Sequence, residues 1–168
     1  MGRNPWDDIG GIPEYLPLPV TDAHYRALGH IAAMWASVEC QTQHLLWQVL
    51  RVEDRYGASL TAALRFDTVL DTLATVGAAS DRLSAGQKQE LASFSAQARQ
   101  LQVIRNTIVH AAWVPGDDLA NPLAYKIRAK DAASSGQPYS APELETIALR
   151  INALLRAGLH LYLDLRFP

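Results

Sequence analysis

The sequence predicts an all-α protein, an antiparallel bundle of four long helices with a short irregular or β-like insert before the last helix. Three observations predict it. Apolar residues recur at spacings of three and four along four separate stretches. Two of those stretches open on capping-box pairs, Ser84 with Gln87 and Ser140 with Glu143. Gly57, Gly77 and the Pro115-Gly116 pair divide the stretches from one another.

Taken in order, residues 1–21 hold Pro5, Pro13, Pro17 and the adjacent Gly10 and Gly11, so they form an extended N-terminal segment, with Trp6 as its anchor. The helical domain is expected over 22–168. In its first helix Leu28, Ile31, Trp35, Val38, Leu45, Val49 and Val52 form one face, and Thr42 takes the remaining slot. Gly57 is expected to end that helix. A second helix follows, with Leu60, Ala63, Phe66, Leu70 and Leu73 in rhythm up to Gly77. From Ser84 to Val114 no proline intervenes, and Leu91, Phe94, Leu101, Ile104 and Ile108 trace a long third helix. Between 118 and 139 only Tyr125, Ile127 and Ala129, alternating with Lys126, Arg128 and Lys130, have strand character. The fourth helix carries Leu144, Ala148, Ile151, Leu155, Leu161, Tyr162 and Leu165 on one face.

Composition narrows the function classes. A chain of 168 residues, 49% hydrophobic and 19% charged, fits one globular domain and excludes disordered, collagen-like and coiled-coil-only readings. One cysteine, Cys40, excludes an internal disulfide. The first residues lack a signal peptide's apolar stretch and no apolar run is long enough to span a bilayer, so a cytoplasmic protein without membrane partners is expected. A net charge of −2 confines any nucleic-acid site to a local patch. The basic residues are twelve Arg and three Lys, a bias that fits bidentate recognition of phosphate or carboxylate and, in the preferred reading, a compositional origin.

Two charges interrupt the apolar faces. Glu39 projects between Leu28, Ala32 and Leu46 on the first helix, and Arg105 between Leu101, Val109 and Ala112 on the third. Because a lone buried charge costs on the order of 3 to 5 kcal/mol, the two are expected to pair across the bundle. Arg65 is the other basic side chain long enough to reach that core, and outward snorkelling of both charges is the alternative. The opposite face of the third helix carries Arg99, Gln102, Asn106 and His110, interleaved with Val103 and Trp113. Either Trp113 folds under the following loop, or a partner covers this stripe. A two-fold dimer would then bring two copies of Asn106 and His110 together.

The run Arg105-Asn106-Thr107-Ile108-Val109-His110 resembles the signature of the HEPN superfamily: an Arg, a polar residue and, after four to six intervening residues, a His. The resemblance extends in outline from 22 to 165, with Trp35 and Glu39 on the preceding first helix. It implies an all-α bundle and a metal-independent endoribonuclease of a toxin–antitoxin or defence system. It also implies action on RNA as a homodimer with a composite site, an antitoxin protein as a further partner, and no metal or cofactor. Carried over by position, His110 is the acid–base residue, Arg105 the contact to phosphate or transition state, and Asn106 the orienting polar residue, with Glu39 and Trp113 in support. The residue types suit that chemistry, because a His moves a proton on or off ribose oxygens while an Arg stabilises charge on phosphorus oxygens.

Three features depart from the family pattern. Ala111 stands where many relatives have Gly after the His, and Leu101 stands where a longer toxin motif has Tyr. Arg105 and His110 also lie about 140° apart on a straight helix. Lys126, Arg128 and Lys130, with Arg99, are the expected RNA-binding residues beyond the motif; a charged, solvated edge strand is the alternative for the three on the strand. Other chemistries find little support. No glutamate has a His three residues later as ferritin-like sites need, Cys40 and His44 offer two metal ligands at most, and no phosphate-binding Gly-rich loop or Gly-x-Ser-x-Gly elbow is present. The rival readings are a non-catalytic module that binds RNA, a nucleotide or a protein through the same groove, and a plain helical dimerisation protein.

Overall fold

The computed structural model of the chain describes residues 18–116, 118, 120–127 and 134–166. In order they form α1 (Asp22–Leu50), α2 (Asp54–Thr61), α3 (Phe66–Ala79), α4 (Ala85–Val109), β1 (Ala112–Val114), β2 (Leu123–Ile127), β3 (Ser134–Pro138) and α5 (Ala141–Arg166). The protein is mostly helical, with a small antiparallel sheet before the last helix. Of the extended segment expected over 1–21, all but 18–21 lies outside the described residues.

The apolar face of α1 supplies the centre of the core. Ile31, Trp35, Val38 and Leu45 are fully shielded, and burial of each such side chain contributes about 1.5–3 kcal/mol. Thr42, in the one polar slot, donates its hydroxyl to the Val38 carbonyl at 2.7 Å, so its own hydroxyl is not left unpaired in the core. At the start of α1 the His24 ring is buried. Its Nε2 donates to the Tyr139 carbonyl at 3.2 Å, and its Nδ1 lies 2.7 Å from the Thr21 hydroxyl. This ties the head of α1 to the residues that precede α5.

Where α1 stops differs from expectation. Arg51, with φ 55° and ψ 41°, closes the helix in the left-handed conformation, and the Arg51 and Val52 N–H groups donate to the Gln48 and Trp47 carbonyls. Gly57 lies inside α2 instead. Its missing side chain admits the Trp47 ring, which a Cβ there would meet at 2.5 Å. The expected second helix is therefore two: Leu60 lies on α2, 61% exposed, while Leu70 and Leu73 on α3 are buried.

The third helix is shorter than expected. It starts at its capping box, with Ser84 Oγ accepting from the Gln87 N–H at 3.2 Å and Gln87 Oε1 from the Ser84 N–H at 3.0 Å. It ends at Val109, and 112–114 is strand, because Pro115 disfavours helical backbone at Val114 and β1 pairs with β2. Trp113 accordingly sits on a strand, opposite Ala124. The β-like insert is a three-stranded antiparallel sheet in the order β1-β2-β3.

Helix directions also correct the expected antiparallel order. The α1 and α5 helices run the same way, joined by the His24–Tyr139 contact at their heads and by the approach of Gly158 to Gln41 farther along. The α3 helix runs with them: Phe66 at its start packs on Trp35, and Ser80 after its end lines a small cleft with Gln48 and Arg51. Only α4 among the long helices is reversed, with Gln87 near its start donating to Asp164 near the end of α5 at 2.8 Å. The short α2 carries the chain back beside α1 and so lets α3 repeat the direction of α1.

Candidate functional site

The site forms where α4 ends beside the middle of α1. Arg105 and Asn106 lie on the last turns of α4, both half-buried, and His110 is exposed immediately beyond them. On a straight helix His110 would point away from Arg105. The helix stops at Val109, however, and His110 caps it with φ −105° and ψ 10°. Arg105 Nη1 then stands 3.2 Å from His110 Nε2 and 3.0 Å from Asn106 Oδ1.

This geometry fixes the tautomer. A guanidinium nitrogen only donates, so His110 Nε2 accepts and the neutral ring carries its proton on Nδ1. The two Nη1 hydrogens are thereby shared between Asn106 and His110. Arg105 Nε is buried with no hydrogen-bond acceptor, and among the described residues no carboxylate lies within ion-pair distance of the guanidinium. A half-buried cation without a counter-ion beside a basic imidazole nitrogen suits an anionic ligand that carries an ionisable proton.

The ion pair expected between Glu39 and Arg105 does not form. Trp35 stands between them: its Nε1–H donates to Glu39 Oε1 at 2.6 Å, and the Arg105 guanidinium carbon lies 5.9 Å from its ring centroid. The indole is fully buried and meets Phe66 edge-on, with centroids 5.3 Å apart. Glu39, half-buried, thus spends its acceptor on an indole rather than on a cation. Arg65 does not enter the core either; it pairs with Asp67 at 3.5 Å on the surface.

The remaining expected residues are only partly assembled. Arg99 is bonded to Asp71 on α3, so its charge is compensated. Trp113 is half-buried and packs toward Tyr139, centroids 6.3 Å apart, where it joins the sheet to the core. Lys126 falls in β2, and Arg128 and Lys130 lie outside the described residues. Cys40 and His44 do approach each other, Sγ to Nδ1 3.6 Å, but among the described residues no third metal-ligating side chain joins them. Two grooves between α1 and α5, of about 470 and 680 Å³, have none of the motif residues in their walls. Among the described residues no helix is long and apolar enough to cross a membrane.

Trp35 is the residue whose part here the projection misses. Its signal was present, since an indole N–H four residues before a glutamate on one helix places donor and acceptor side by side. Comparison of the chain with protein-family models, curated proteins and solved structures finds no match.

Proposed function

We propose that the protein is a metal-independent endoribonuclease of the HEPN type, working in the cytoplasm as a homodimer in a toxin–antitoxin or defence system. The observation that carries this reading is the contact of Arg105 Nη1 with His110 Nε2 at 3.2 Å, with no carboxylate among the described residues competing for the guanidinium. In the proposed reaction His110 Nε2 exchanges Arg105 for the ribose 2′-hydroxyl and removes its proton. The 2′-oxygen forms the new bond to phosphorus, the bond from phosphorus to the 5′-oxygen breaks, and a 2′,3′-cyclic phosphate remains. Arg105, released from His110, turns its donors to the non-bridging phosphate oxygens, where charge accumulates. Asn106 holds the guanidinium edge during the exchange.

The leaving 5′-oxygen needs a proton, and a His110 that starts neutral has none to give on Nε2. The second copy's His110, protonated, is the proposed acid, which makes the site composite across a two-fold axis. Exposed Val103, on the same face of α4, supports a covered surface there. In this reading α1, α3, α4 and α5 are the bundle of the HEPN resemblance, and an antitoxin protein is the expected partner. A non-catalytic module that binds RNA is the second reading, favoured by Ala111 after the His, where the HEPN resemblance leads one to expect Gly.

The test is RNA cleavage by purified protein in EDTA. Wild type cuts, and His110→Ala and Arg105→Ala each lose roughly 10²–10⁴-fold in rate while melting as wild type does. Excess His110→Ala protein added to a fixed amount of wild type suppresses cleavage, because mixed dimers lack either base or acid. RNA binding without cleavage by wild type favours the binding module.

A further inference from the structure

We infer that Glu39 is a positioning residue for Arg105, acting through the indole of Trp35. The inference rests on the functional reading only for its effect on RNA; its basis is the geometry of the side chains. Arg105 is half-buried, its Nη1 is occupied by Asn106 and His110, its Nε–H has no acceptor, and no carboxylate among the described residues pairs with it. Of the charged and aromatic contacts that orient a guanidinium plane, only the face of Trp35 remains among the described residues.

Trp35 can serve as that platform because its ring is fixed at two points. Phe66 holds one edge, and Glu39 accepts from Nε1 at 2.6 Å, a charge-assisted bond shorter than the usual range for N–H donors. A carboxylate at the indole N–H does more than anchor it. It pushes electron density into the ring, deepens the negative potential over the face and strengthens the hold on a cation there. Glu39 thereby acts on Arg105 without touching it. A glutamate that merely satisfied a buried indole N–H would be replaceable by any neutral acceptor.

The experiment reads the whole protein without RNA first. In Glu39→Leu the Arg105 Nε–H resonance is expected to exchange with solvent roughly tenfold faster, the scale of losing one hydrogen bond to a charged group. The His110 ring is expected to shift away from its Nδ1–H tautomer. Glu39→Gln, which keeps an acceptor and removes the charge, falls between wild type and Glu39→Leu. Trp35→Phe keeps the ring face and loses the donor, so it matches Glu39→Leu, and the double variant is no worse than either single one. A folded Glu39→Leu protein with wild-type Arg105 exchange and His110 tautomer overturns the inference, as does a Glu39→Gln protein identical to wild type. If Arg105 loosens in these variants while the wild type cleaves no RNA, the positioning role stands and the nuclease reading falls.

Discussion

At the residue scale, several polar side chains that enter the apolar regions find a partner of matching chemistry, whereas Gln41 Oε1, Trp47 Nε1, Ser95 Oγ and Arg105 Nε are buried without one. The Trp35 indole takes Glu39 on its N–H and Arg105 on its face, His24 bridges Thr21 and the Tyr139 carbonyl, and Thr42 bonds back to Val38. Glu143 shows the same economy at the head of α5: its Oε2 accepts from the Ser140 N–H and hydroxyl, both at 2.7 Å. Those bonds hold its carboxyl below the usual carboxylate range, while burial and the Glu143 charge push the Tyr139 phenol up. A lowered folded-state pKa means that Glu143 contributes stability above its unfolded value, and that this is lost as pH falls through the folded value. Thermal melts of wild type and Glu143→Ala should therefore differ at pH 7 and converge as pH drops below that window. Periodicity alone revealed that Glu39 and Arg105 interrupt apolar faces. It did not reveal their partner, because a projection that seeks opposite charge passes over an indole N–H.

At the scale of elements, helix starts were more legible than helix ends. The Ser84 and Ser140 caps are written as side chains at fixed spacing, and both form as their spacing requires. The end of α1 is made by Arg51 in a left-handed conformation that nothing in its residue type announces, and Gly57 serves packing rather than termination. Gly57→Ala puts a methyl 2.5 Å from the Trp47 ring and should destabilise the protein by about 1–3 kcal/mol in a denaturant titration, although alanine ordinarily favours a helix. The end of α4 at Val109 leaves His110 as its C-cap, where Arg105 Nη1 reaches its Nε2.

At the scale of the whole molecule, four amphipathic stretches implied helices packed around one core, and the short stop signals between them implied alternating directions. The second implication failed because residues between α1 and α3 form α2, which returns the chain before α3 begins. Direction depends on what a connection does in space, and a connection with its own weak periodicity reads as part of the next helix. The consequence for the site is favourable: α4, reversed against α1 and α5, places its C-terminal turns beside the middle of α1 rather than at its end, and there Trp35 meets Arg105. The composite-site account places a neutral His110 as base and the second copy's His110 as acid, with no step that requires a metal ion. The most direct measurement of that account is the chemical nature of the new ends when purified protein cuts RNA in EDTA. The account predicts 2′,3′-cyclic phosphate on one fragment and 5′-hydroxyl on the other, both absent with His110→Ala. New ends bearing 3′-hydroxyl and 5′-phosphate, or cyclic-phosphate ends that persist in the His110 variant, would contradict it.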